Sequence, residues 1–119
     1  MTKIGKYLAI LTLELEDSMN DFTEMLACCR DDAEKQRITD YVGKGNEVII
    51  RQEMSGLQSC IESIRGIDPA SFVSIGEAEQ EILALFRQTV ERQGYPQALL
   101  VHIREITARV NDFVEKRKK

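Results

Sequence analysis

The sequence predicts an all-α fold, an antiparallel bundle of about four helices with a long N-terminal helix, and three observations predict it. Helix formers dominate a chain that holds only two prolines in 119 residues, too few turn residues for an all-β chain. Apolar residues recur at alternating steps of four and three through most of the chain. Short stop-and-start signals divide those periodic stretches.

The first periodic stretch runs through Ile4, Leu8, Leu11, Leu15, Ser18, Phe22, Met25 and Cys29. These positions form a heptad seam. Met19 and Leu26 widen it into the broader stripe of a helix in a globular bundle. No glycine or proline interrupts residues 6 to 42. The seam weakens at Asp31-Asp32 and resumes on a shifted face at Ile38, Tyr41 and Val42. Asp31 and Glu34 have capping-box spacing, so a break near residue 31 is one option. Gly43-Lys44-Gly45-Asn46 is the stronger punctuation, and the expectation is one continuous, bent helix to about residue 42.

Asn46 is then the N-cap of a second helix, with Ile50, Met54, Leu57, Ile61 and Ile64 as its seam. Gly56, Ser59, Cys60 and Ser63 make it small-sided. Two readings stay open: a close helix approach at Gly56, or surface serines beside one tolerated glycine. Gly66 ends this helix. Asp68-Pro69 and the capping-box pair Ser74 and Glu77 both start a third, which therefore begins at residue 69 or at 75. Its apolar positions are Ile75, Ala78, Ile82, Leu83, Phe86 and Val90, and Gly94-Tyr95-Pro96 is its stop. Leu99, Ile103, Ile106, Val110 and Phe113 form the fourth seam, which ends in the basic Lys116-Arg117-Lys118-Lys119. Such a tail complements the helix dipole; contact with phosphate or membrane is its other use.

Composition bounds the function. A 119-residue chain, 43% hydrophobic and 30% charged, is one domain with a real core. Its net charge of −4 disfavours nucleic acid as a partner. The apolar run Tyr7–Leu13 is too short to cross a bilayer and is followed by Glu14-Leu15-Glu16-Asp17 without a small-residue cleavage site. The expectation is a cytoplasmic protein with no membrane contact. Three cysteines, Cys28, Cys29 and Cys60, fit reduced thiols.

No cofactor is expected, because each candidate site has a simpler structural explanation. Glu14, Asp17, Asp21 and Glu24 share one helix face, and aligned carboxylates can hold Mg²⁺. In this they resemble all-α nucleotide pyrophosphatases, whose Glu-Glu-x-x-Glu cluster is missing here; only Glu14-x-x-Asp17 matches the partner motif. The simpler account is a solvated flank of the seam. His102, the only histidine, gives the chain a resemblance in size and class to phosphotransfer bundles. Glu105, however, stands where their lysine would be, and a carboxylate repels phosphohistidine. One histidine excludes a di-iron site. Adjacent Cys28 and Cys29 diverge too far on a helix for tetrahedral zinc.

The sequence thus points to a non-enzymatic helical module that contacts other helices. A first helix of about 40 residues would span roughly 60 Å and outrun helices half that length. A symmetric dimer would cover the excess, with Leu8, Leu11, Leu15 and Phe22 as anchors; another protein is the alternative partner. The competing reading is a small metal-dependent hydrolase using Glu14, Asp17, Asp21 and Glu24.

Overall fold

The computed structural model describes residues 2–116. Four helices follow one another: α1 (Lys3–Glu34), α2 (Asp40–Arg65), α3 (Ile75–Gln93) and α4 (Gln97–Lys116), with a 3₁₀ turn at Pro69–Ser71. No strand occurs among the described residues. The tail residues 117–119 lie outside them.

Short connections make sequential helices antiparallel neighbours. α1 packs on both α2 and α4, and α3 closes the ring between α2 and α4. The register of α1 on α4 is fixed by three cross-links. Lys3 pairs with Glu115 at 2.9 Å, Arg109 reaches Glu14 at 3.4 Å, and Ser18 bonds His102 at 3.1 Å. The body measures 52 × 32 × 19 Å.

The seams meet along the axis. Tyr7, Leu11 and Leu15 from α1, Leu57 and Ile61 from α2, Ile82 and Phe86 from α3, and Leu99, Ile103 and Ile106 from α4 are almost fully buried. Burial of an aliphatic or aromatic side chain contributes about 1.5–3 kcal/mol, so this shared core holds the bundle. Two seams drift as they run. Leu26 faces the core where Met25 was expected, and Val114 takes the place of Phe113. A straight helix drifts about 20° per heptad against a strict seven-residue repeat, and over the three heptads from Ile4 to Met25 this passes half the step between neighbouring residues and favours Leu26.

Most helix boundaries follow the sequence signals. The Ser74 hydroxyl accepts the Glu77 amide at 3.1 Å and starts α3, while Asp68 and Pro69 start the short 3₁₀ turn before it. Gly94 ends α3 at φ +71°.

The first turn is a correction. α1 does not continue to residue 42; it ends at Glu34, and α2 already begins at Asp40. Gln36 takes the left-handed conformation, φ 59°. The Gln36 amide donates to the Ala33 carbonyl at 3.1 Å and the Arg37 amide to that of Asp32 at 2.9 Å. This is the Schellman pattern, with glutamine in the position usually held by glycine. Thr39, not Asn46, caps α2, accepting the Val42 amide at 3.2 Å. Gly43 and Gly45 therefore sit inside α2. A Cβ at Gly43 would lie 3.1 Å from the Ala33 Cβ, so this glycine lets the two helices approach just past their turn.

The same holds at Gly56. A Cβ there would clash with Leu99 Cδ2 and lie 2.9 Å from the Tyr95 ring. Tyr95 lies across this notch, its hydroxyl 3.1 Å from that of Ser59. The small side of α2 is a packing surface.

The helices differ in length: 32 and 26 residues for α1 and α2, 19 and 20 for α3 and α4. His102 is level with Ser18 and Phe22 on α1. From there α4 extends back only to Gln97, about 8 Å at 1.5 Å per residue. Tyr95, in the α3–α4 turn, is level with Gly56 of α2. Beyond these points α1 and α2 continue alone as a two-helix overhang.

Candidate functional site

Leu8, Leu11, Leu15 and Phe22, the anchors expected for an interface, lie within the bundle. Leu11 and Leu15 are fully buried, and Leu8 and Phe22 keep 8% of their surface. Their partners are helices of the same chain, so a second chain reaches them only by opening the core.

The carboxylates of α1 do not converge. Glu14 bonds Arg109 of α4, Asp17 points to solvent, and Asp21 and Glu24 are exposed nearer the overhang. Among the described residues no three His, Cys, Asp or Glu side chains are grouped to hold a metal ion. Cys28 is exposed, whereas the Cys29 thiol is buried and donates to the Gly43 carbonyl at 3.3 Å. Cys60 lies in the core on another part of α2, its thiol pushed up to about 12 by burial.

His102 is half-buried. It bonds the Ser18 hydroxyl through Nε2 and stands edge-on to Phe22, ring centroids 5.8 Å apart. Ser18 keeps only 6% of its surface, so this Ser–His pair offers no nucleophile to a substrate. It serves to satisfy two polar groups at the α1–α4 seam.

The overhang presents a different surface. The line of α1 that meets α4 through Glu14 and Ser18 continues, at helical spacing, to Asp21, Met25, Cys28 and Asp32. The line of α2 that meets Tyr95 through Gly56 continues the other way to Glu53, Ile49, Asn46 and Val42. Past the end of α4 both lines lose their covering layer. A groove of about 660 Å³ opens between them, floored by Cys29 and Ile50 and closed at the tip by Ile38. Met25 and Ile49 stand on opposite walls, each 50% exposed.

The groove is apolar inside and acidic at its edges. Asp21, Glu24, Asp32 and Glu53 line it, and no lysine or arginine does. Asp32 is paired with Arg37 at 3.1 Å, while no ion pair joins Asp21, Glu24 or Glu53 to a described residue. Of the nearby bases, Arg30 and Arg51 both bond Glu47, holding its carboxyl below the usual range, Lys35 pairs with Asp31, and Lys44 lies outside the groove lining. From Glu14 to Glu53 eleven acids face five bases, a local −6 in a chain of −4.

A second depression, about 860 Å³, lies between the 3₁₀ turn and α3. It is lined by Gln80, Glu81, Gln88 and Asp68 among others, and the Asp68 carboxylate is used to cap Ala70. Ser71 also lines it, and among the described residues no hydrogen bond joins its hydroxyl to Asp68 or Glu81. No described helix is long and apolar enough to cross a membrane. Compared with protein-family models, with curated proteins and with solved structures, the chain shows no significant similarity to any of them.

In the sequence these positions look like seam: Met25 keeps the heptad step of α1, and Ile49 adjoins the seam residue Ile50. What exposes them is the unequal length of the two helical hairpins, which depends on where the α1–α2 turn falls.

Proposed function

We propose that this chain is a non-enzymatic helical interaction module, and that it engages another helix with the open face of the α1–α2 overhang. The observation that carries this reading is the unpartnered continuation of two packing lines. Met25 and Ile49 extend the same helix faces that α4 and Tyr95 cover lower in the bundle, and both remain half-exposed. An apolar groove between two helices is the usual receptor for a third, amphipathic helix. Self-association and binding of another protein are both ways of supplying it. Helix α1 is the principal contact element through its distal part, beyond the buried Leu8, Leu11, Leu15 and Phe22.

The test is a Met25→Asp/Ile49→Asp double variant. Both side chains are half-exposed, so its circular dichroism should match that of the unaltered chain. Its capacity to form an oligomer, read by native mass spectrometry, or to bind an amphipathic helical peptide should be lost. The reading fails if the unaltered chain is monomeric and binds no amphipathic helix of any charge.

A further inference from the structure

Resting on that reading, we infer that the overhang groove takes a basic-edged amphipathic helix of another protein rather than a second copy of this chain. The walls supply an apolar strip, Met25, Cys28, Ile38 and Ile49, over a buried floor of Cys29 and Ile50. A helix with apolar residues at i, i+4 and i+7 presents a matching stripe. At the inner end of the groove Asp21 and Glu24 on one wall and Glu53 on the other have no ion pair with a described residue. An incoming helix with lysine or arginine on both edges of its stripe answers all three. A second copy does not. A two-fold pairing of grooves would place six such carboxylates, three from each chain, at one interface with no basic side chain in either lining, and like charges set face to face oppose association.

The test uses the full chain and three peptides of about 18 residues sharing one leucine stripe, with lysine, glutamine or glutamate on its edges. Binding is followed by fluorescence anisotropy and by protection of the Cys28 thiol from alkylation. The lysine-edged peptide should bind about tenfold or more tightly than the glutamine-edged one, since three exposed ion pairs together reach that factor. It should shield Cys28, weaken as salt is raised, and lose its advantage in an Asp21→Asn/Glu24→Gln/Glu53→Gln variant. Equal binding of the lysine and glutamine peptides would overturn the charge inference and leave the groove as a helix receptor. So would lysine-peptide binding that neither shields Cys28 nor responds to Ile49→Asp, because the site would then lie elsewhere. A chain that binds no peptide but forms a dimer dissociated by Met25→Asp/Ile49→Asp would assign the groove to a second copy. A monomer that binds none of the three removes both this inference and the function proposed above.

Discussion

Ser18 Oγ and His102 Nε2 lie 3.1 Å apart and join the middle of α1 to α4, five residues from the start of α4 at Gln97. The bond satisfies two polar atoms that the seam would otherwise strand. Ser18→Ala should cost about 1 kcal/mol, the net worth of an ordinary hydrogen bond plus the imidazole nitrogen left behind. His102→Ala should cost more, because the edge contact with Phe22 is lost with it. Urea denaturation of both single variants and of the double variant measures the coupling. An additive double variant would show that the bond carries no stability.

The glycines of α2 should respond to alanine with opposite signs. At Gly45 an added Cβ meets nothing within 4 Å, and the gain in helix propensity should stabilise the protein by about 0.5–1 kcal/mol. At Gly56 the same methyl enters the space of Leu99 and Tyr95. The overpacking cost of about 1–3 kcal/mol outweighs the propensity gain, and Gly56→Ala should lower the midpoint of thermal unfolding. Equal behaviour of the two variants would contradict the close approach of Tyr95.

Tyr7 is fully buried, and its hydroxyl has no hydrogen-bond partner among the described residues. Desolvation, then the nearby Glu79 carboxylate, pushes its pKa well above the ordinary value. Glu79 is itself engaged by the Asn111 amide. A raised native pKa adds stability that is fully present below about pH 10, the unfolded value, and is lost as pH rises toward the native one. Tyr7→Phe should therefore be neutral or stabilising at pH 7 and should flatten the alkaline fall. In the native protein, ultraviolet titration should find that Tyr7 ionises only on unfolding.

Thiol chemistry maps the overhang directly. Cys28 is exposed, Cys29 is buried with its thiol on the Gly43 carbonyl, and Cys60 is held protonated by burial. Reaction needs an accessible thiolate, so mass spectrometry should find one rapid alkylation, at Cys28, in the folded protein and three in denaturant. Rapid modification of Cys60 in the folded chain would mean that the core of α2 opens more readily than its packing implies.

The helix count, the four seams and the caps at Asp68, Ser74 and Gly94 were legible because each has local chemistry: a side-chain oxygen over a free amide, or a glycine at positive φ. The α1–α2 turn was not. Gln36 adopts the left-handed state without the residue that normally announces it, while Gly43, which looks like punctuation, is spent on helix contact. That displacement of the turn hid the groove. A first helix continuing to about residue 42, with the turn at 43–46, would carry Ile49 away from Met25, whereas the observed hairpin places Ile49 opposite Met25. The direction of the imidazole was likewise invisible, since it depends on the α1–α4 register and not on any spacing within α4.

The step from four helices to two gives the molecule unequal cooperativity along its length. Amides around Leu11, Leu57, Phe86 and Ile103 can exchange with solvent only when the whole bundle opens, while those near the α1–α2 turn are held by one helix neighbour and a few surface ion pairs and can open alone. A helix settling into the groove would make the thin end as thick as the rest and tie its opening to global unfolding. Occupancy would then be recorded as slowed exchange on both faces of the overhang, including amides that the incoming helix never touches.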